Sequence, residues 1–331
     1  EPRPLAIRLF RTGPWFKIFQ ENENFQLKTV KFCLFFQEEK LAPSANPLAG
    51  SLDESATGAP AMSAWCVLTH PLHPLSQAIF ARAALDGVNF LATPAACAEL
   101  RLHHGAVLAA FPASLKALTD ENHMLLNRQD GQAVQLLIGK EAEPSTEVQS
   151  RLVRLVKGHQ ETDPNQGEIT VHLHDVLPPE PGSEREAMFR AWMEAGRAGT
   201  LPDLDEQRFH WCDISDVAAA VTDLLQHPCK DGTYHMSGRR TWTMGETWQE
   251  FDALVQRTIA GQTGKFGTEH LQAKGVPSVE AIPIQDGETE RVRPDLGPLH
   301  GALTEANGEG WRPKTPLRQS LMMVIAQLSE P

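Results

Sequence analysis

Three sets of residues in this sequence could do chemistry. The first lies in Ala64 to Ala78, which reads Ala-Trp-Cys-Val-Leu-Thr-His-Pro-Leu-His-Pro-Leu-Ser-Gln-Ala. That pattern predicts a short buried strand, a proline-broken turn and a helix entered through Pro74, where a missing N–H costs nothing. A strand, tight turn and helix in this order is where a nucleotide-binding α/β fold sets a phosphate against a helix N-terminus. That turn and the start of its helix hold Thr69, His70, His73 and Ser76. His70 and His73 could bind an anion when protonated, but imidazole is mostly neutral at pH 7, and Pro71 and Pro74 each remove an N–H that could have cradled one. The second set is Val171-His-Leu-His-Asp175, which puts His172 and His174 on one face of a strand, as two metal ligands would be. No third ligand stands at a telling spacing, so these histidines read as structural and no metal site is assigned. The third set is ionic. Arg293 and Arg208 carry the planar fork that suits a phosphate, a surface salt bridge being the other reading of Arg293. Glu141, Glu143 and the His103-His104 pair read as solvated loop residues.

The elements that must position these residues follow from the hydrophobic pattern. From Ser63 the chain alternates strand and helix: strands over 65–69, 88–92, 105–110, 133–138 and 169–174, helices over 75–85, 94–102, around 114–128 and over 147–157. Repeating β-α units with short loops predict an α/β class, Rossmann-like fold with a doubly wound, mainly parallel sheet. After Leu177 comes a Pro178-Pro-Glu-Pro-Gly182 loop, then helices over 184–195 and up to 226, with Asp213 or Ser215 as cap and Asp216 in the first turn. A turn and strand over 231–238 and helices over 244–259 and 317–328 complete a smaller C-terminal α+β lobe. The domain reading is 62–177 for the Rossmann-like domain, with 207–228 returning to it, and 178–206 plus 229–331 for the lobe.

Residues 1–61 differ. They hold seven of the fourteen phenylalanines, their seven acids balance seven bases, and Ala42 to Ala61 is a Pro/Gly/Ser/Ala linker. Met62 stands just before the first strand, so the preceding segment is expected to be an extension, poorly ordered or foreign to the native protein. Glu, Lys and Asn interrupt each of its apolar runs, which disfavours a signal peptide. With a net charge of −12, a nucleic-acid or anionic-membrane partner is not expected. No run approaches the roughly 18 apolar residues of a membrane span. The five cysteines, at 33, 66, 97, 212 and 229, include no C-x-x-C pair and read as reduced thiols of a cytoplasmic protein.

Thr69 to Ser76 resembles the T-G-x-x-G-x-x-G turn of the extended short-chain dehydrogenase/reductase family (NAD-dependent epimerases and dehydratases, dTDP-4-dehydrorhamnose reductases), with His70, His73 and Ser76 in place of the three glycines. The second half resembles it more specifically. Arg208-Phe-His-Trp-Cys-Asp-Ile-Ser-Asp-Val-Ala218 is similar to R-F-x-W-I-H-V-D-D-V-A, and Gly232-Thr-Tyr-His-Met-Ser-Gly238 to G-x-Y-x-x-S-G. Arg293-Pro-Asp-Leu-Gly-Pro-Leu299 and Gly310-Trp-Arg-Pro313 are similar to the segments that precede the last helix. The resemblance covers about residues 63–330. It implies a sugar-nucleotide-binding protein with an NAD(P) turn at Thr69, His70, His73 and Ser76 and a nucleotide-sugar lobe including Arg208 and Arg293.

The family's reaction uses a Y-x-x-x-K pair and an upstream Ser or Thr, because a phenol titrating near pH ~10 needs a neighbouring ammonium to act at pH 7. Here Tyr234 is the one tyrosine, Gly238 stands four residues on, and strand four ends in Gly139-Lys140. No catalytic residue is assigned, and the cofactor is either absent or NAD(P). The resemblance therefore implies a pseudoenzyme: a binding or regulatory protein whose partner is a nucleotide-sugar or dinucleotide ligand, or another protein. Two alternatives stay open: an active NAD(P)-dependent nucleotide-sugar reductase or epimerase with a non-standard acid, and a ligand-free scaffold.

Overall fold

The computed structural model of the chain describes residues 7–12, 15–20, 65–119, 133–144, 150–158, 168–227, 229–270 and 294–329. The chain divides into two compact units, 1–57 and 58–331. In the first, β1 (Ile7–Thr12) and β2 (Trp15–Gln20) form an antiparallel hairpin with Thr12 opposite Trp15. The linker reading of 42–61 and the position of Met62 lie outside the described residues.

The second unit is built on a sheet of seven strands: β3 (Trp65–Leu68), β4 (Asn89–Ala92), β5 (Leu115–Ala117), β6 (Ala133–Ile138), β7 (Arg151–Lys157), β8 (Glu168–Leu173) and β12 (Gly232–Met236). Their spatial order is β12-β8-β7-β6-β3-β4-β5, and every neighbouring pair is parallel. The chain winds outward from β3 through β4 to β5, returns to β6 on the other side of β3, and winds outward again. This is the doubly wound α/β fold, with its reversal between β3 and β6.

Strand residues alternate between the sheet's two faces. Cys66, Leu68, Val134, Leu136, Val153, Leu155, Ile169, Val171, Tyr234 and Met236 share one core with Ala96, Cys97 and Leu100 and with residues of three further helices. Those helices are α1 (Pro74–Leu85), α5 (Ile214–Gln226) and α7 (Gly297–Asn307). Trp65, Val67, Leu91 and Ala133 form a smaller cluster of their own. Two short helices, α2 (Pro94–His103) and α3 (Gly105–Ala110), lie between β4 and β5. A second large core joins α4 (Glu184–Ala198), α6 (Met244–Thr263) and α8 (Leu317–Leu328) through Phe189, Trp192, Trp248, Phe251, Leu321 and Val324.

Three elements differ in kind from the sequence pattern. Residues 105–110, expected as the third strand, form α3; the run Gly-Ala-Val-Leu-Ala-Ala holds three alanines, the strongest helix formers, and one β-branched residue. The third strand is instead Leu115–Ala117, at the start of the expected 114–128 helix, whose residues 120–128 lie outside the described residues. Residues 147–157, expected as a helix, contain β7. Its Leu152, Val153, Leu155 and Val156 are spread over both faces of a central strand, and such a strand shows no polar alternation. A further difference is one of placement: Gly232–Met236, grouped with the lobe in the sequence, pairs with β8 as the edge strand of the sheet.

β7 also secures the helix layer. Arg151 donates to the carbonyls of Leu224 and His227, each at 2.7 Å, and of Leu225 at 3.1 Å. These are the acceptors left open at the end of α5, where a cation is favoured.

Candidate functional site: the turn after β3

In a doubly wound sheet, ligands bind beyond the carboxyl ends of the strands at the point of reversal. Here that point is the turn Thr69–His73 beside the end of β6. Thr69 Oγ1 donates to Leu136 O across the reversal at 3.0 Å. Its proton is thus committed, which makes His70 Nδ1 the donor in their 2.9 Å contact. His73 N donates to His70 O at 3.1 Å and closes the turn. Asp175 is the one non-glycine residue in the left-handed region among the described residues, so the turn is made without a backbone geometry that requires glycine.

His73 is the N-cap of α1, and its Nδ1 accepts the Leu75 N–H at 3.2 Å. An Nδ1 that accepts cannot carry the proton, so the neutral ring holds it on Nε2. Nε2 lies 3.4 Å from Glu180 Oε1, and Glu180 Oε2 lies 2.9 Å from Lys157 Nζ. Burial pushes the His73 imidazole below its ordinary value, with Glu180 opposing. At pH 7 the His73–Glu180 contact is therefore one between a neutral ring and a carboxylate. Ser76 is 1% exposed and faces the sheet from the first turn of α1, where a small residue lets helix and strand approach.

These residues do not fit a dinucleotide's pyrophosphate. Pro74 has no N–H, the Leu75 N–H is taken by the His73 ring, and a carboxylate stands against that ring's far side. A helix N-terminus serves as an anion site only through its open donors.

The other candidates lie elsewhere. Arg208 is an exposed residue of β10 (Arg208–Phe209), paired through its backbone with Thr243 in β13 (Trp242–Thr243). Arg293 lies outside the described residues. Tyr234 is buried in β12 and donates from its hydroxyl to Lys230 O at 2.7 Å; burial pushes its phenol further up. His172 and His235 are register partners on β8 and β12, with ring centres 5.0 Å apart, and His174 Nε2 lies 3.1 Å from His235 Nδ1. Among the described residues no group of three or more His, Cys, Asp or Glu side chains is arranged to hold a metal ion.

Sequence reasoning missed Glu180 and Lys157. Glu180 stands inside a proline loop, and Lys157 at the end of an expected helix. It also missed Asp175, whose Oδ2 accepts the His210 N–H at 2.6 Å and whose Oδ1 pairs with Arg185 at 2.8 Å. Arg185 in turn stacks over the Phe209 ring at 4.4 Å.

No known protein-family profile matches the chain, and no curated protein matches it. Among solved structures, it is similar to the terminal R domain from the myxalamid PKS-NRPS biosynthetic pathway (13% identity, 80% of this chain and 90% of that one, TM-score 0.49). It is also similar to the Bordetella bronchiseptica enzyme WbmH in complex with NAD+ (14%, 81% and 99%, 0.45). A third is dTDP-glucose 4,6-dehydratase from Bacillus anthracis in complex with NAD (12%, 80% and 96%, 0.44). The likeness is one of fold. No helix among the described residues is long and apolar enough to cross a membrane.

The histidines give the fold a pH dependence of definite sign. Burial is the first cause of the lowered values of His73, His104, His172 and His235. A histidine with a depressed folded value binds its proton more readily when unfolded, so its share of stability is complete above about pH 6.5 and is lost as pH falls toward the folded values. The urea midpoint should therefore drop on acidification from near neutral to about pH 5.5. An unchanged or rising midpoint would contradict the buried, neutral state of these rings.

Proposed function

We propose that this chain is a sugar-nucleotide-binding-type homologue of the extended short-chain dehydrogenases/reductases that has lost catalysis and acts as a cytoplasmic binding or regulatory protein. In this reading the smaller lobe takes a nucleotide sugar, with Arg208 and Arg293 offering guanidinium groups to it, and the sheet serves as scaffold. The reading rests first on the motif resemblance over 208–238 and 310–313. The observation that carries the loss of catalysis is the connection from β6 to β7. Only twelve residues, 139–150, join them, and residues 139–144 and 150 are described outside any helix. The five left between, 145–149, read Ser-Thr-Glu-Val-Gln. The whole connection contains no tyrosine, and its one lysine, Lys140, is described outside any helix. The one tyrosine of the chain spends its proton on the Lys230 carbonyl.

The test is to incubate the full chain with NADH or NADPH and a 4-keto nucleotide sugar. No cofactor oxidation is expected. Steady-state turnover in the ordinary enzyme range, roughly 1–1,000 s⁻¹, would overturn the proposal. In a parallel thermal-shift panel, nucleotide sugars should raise the melting temperature by binding the native state alone, and NAD and NADP should not.

A further inference from the structure

The place where the fold would receive a diphosphate is occupied by a carboxylate of the chain itself. Glu180 stands between two donors drawn from different elements: His73 Nε2, at the turn after β3, and Lys157 Nζ, at the carboxyl end of β7. An ammonium and a neutral N–H aimed at one pair of oxygens is a donor set for an oxyanion. The ring's direction is fixed, because the Leu75 N–H holds Nδ1 and leaves Nε2–H toward Glu180. Lys157 is also the main reason that the Glu180 carboxyl is held below its ordinary value, so the group is charged at neutral pH. The loop that carries it is stiff. Pro178, Pro179 and Pro181 each fix one backbone angle, Gly182 N–H is taken by Glu186 Oε2 at 2.6 Å, and Gln327 reaches Pro179 O at 3.4 Å. The carboxylate is therefore presented to His73 and Lys157 with little backbone freedom of its own.

We propose that His73 and Lys157 form an anion site of diphosphate type beside the strand reversal, and that Glu180 is its built-in occupant, excluding dinucleotide phosphates by charge as well as by shape. This rests on the reading above only for the position of the turn; it concerns binding at one place, and cofactor turnover tests the other claim separately. A ligand phosphate and the Glu180 carboxylate compete for the same two donors, and their like charges repel at contact distance. Neutralising Glu180 in its own shape should therefore open the site.

The probe is inorganic pyrophosphate, titrated calorimetrically into the full-length chain near neutral pH and at low ionic strength. Glu180→Gln should bind it at least about fivefold more tightly than the wild type, because a unit charge at about 4 Å is worth about that factor even at the dielectric of water. Adding Lys157→Ala to Glu180→Gln should abolish the gain. The gain should also shrink as salt is raised. Equal affinity of wild type and Glu180→Gln would overturn the proposal, and so would a gain that survives Lys157→Ala, since the anion would then bind elsewhere. Glu180→Ala, with its fold checked by circular dichroism, repeats the comparison if the glutamine variant is unstable.

Discussion

Glu168→Ala is expected to lower the folding stability of the sheet unit by about 3–5 kcal/mol, the range for removing one partner of a buried ion pair. The Glu168 side chain is 2% exposed, and Oε1 accepts from Arg154 Nε, whose side chain is 9% exposed. Thr170 Oγ1 donates to the same oxygen at 3.3 Å. The guanidinium does more than pair: Nη1 reaches Gly139 O at 3.3 Å, Lys140 O at 3.1 Å and Ala142 O at 2.6 Å. Arg154 thus ties the turn after β6 to the centre of β7, and Glu168 supplies the charge that lets a guanidinium sit there. Deleting the acid leaves a cation in low dielectric with only carbonyl dipoles around it. Replacing both partners, as Arg154→Met with Glu168→Leu, should cost less than the single change, because no charge is then stranded; the three carbonyls left without their donor keep the cost from vanishing. Urea unfolding of the three variants measures the difference. A single-mutant cost below about 1 kcal/mol would mean that water solvates the pair.

The same segment shows where the sequence was legible and where it was not. The doubly wound sheet could be read because β3, β6 and β8 are short apolar runs bounded by turns, and α1 and α2 open on Pro74 and Pro94. β7 could not be told from a helix, since Leu-Val-Arg-Leu-Val in a strand buried on both sides has no period-two signal. The charge inside that run, Arg154, is a buried clamp whose partner, Glu168, lies on the next strand. No local pattern encodes such a pair, because the sheet register alone brings the two together. The turn after β3 was legible in position but not in function. His70 and His73 were visible as obstacles to a phosphate, while the acid completing the obstruction comes from Glu180, more than a hundred residues further along the chain.

The segments that resemble the family serve here as packing devices. Asp213 caps α5 through the Ser215 N–H at 2.8 Å and accepts from Ser320 Oγ at 2.6 Å. Asp216 accepts the N–H groups of Lys314 and Thr315, each at 3.0 Å. Trp311 Nε1 donates to Ser237 O at 2.8 Å. These bonds fasten the closing segment and α8 to the sheet and need no ligand. Under the proposed reading, the positions that depart from the family's pattern, at 70, 73 and 139–150, are the ones where its chemistry would act. The joints are required for folding itself, whatever the chemistry of the fold.

Gly238, the last residue of Gly232-Thr-Tyr-His-Met-Ser-Gly238, makes that claim measurable. Its N–H donates to His210 O at 2.8 Å, so the end of β12 lies directly against the Phe209–Trp211 segment. A Cβ at Gly238 would stand 2.1 Å from the Trp211 carbonyl oxygen, 2.9 Å from its carbon and 3.1 Å from the His210 carbonyl carbon. All three are backbone atoms and cannot swing aside as a side-chain tip would. Gly238 is also absent from the glycines with left-handed backbone, so closeness and not conformation demands it. Gly238→Ala must then push apart segments that share a hydrogen bond, at a cost of about 3 kcal/mol or more, the upper end of overpacking penalties. Gly245→Ala supplies the opposite sign: in α6 its added methyl meets nothing within 4 Å, and alanine gains up to about 1 kcal/mol over glycine inside a helix. Denaturation midpoints should move in opposite directions for the two variants. A neutral Gly238→Ala would mean that the segments do not meet as closely as their hydrogen bond implies, and the motif would then need a reason outside packing.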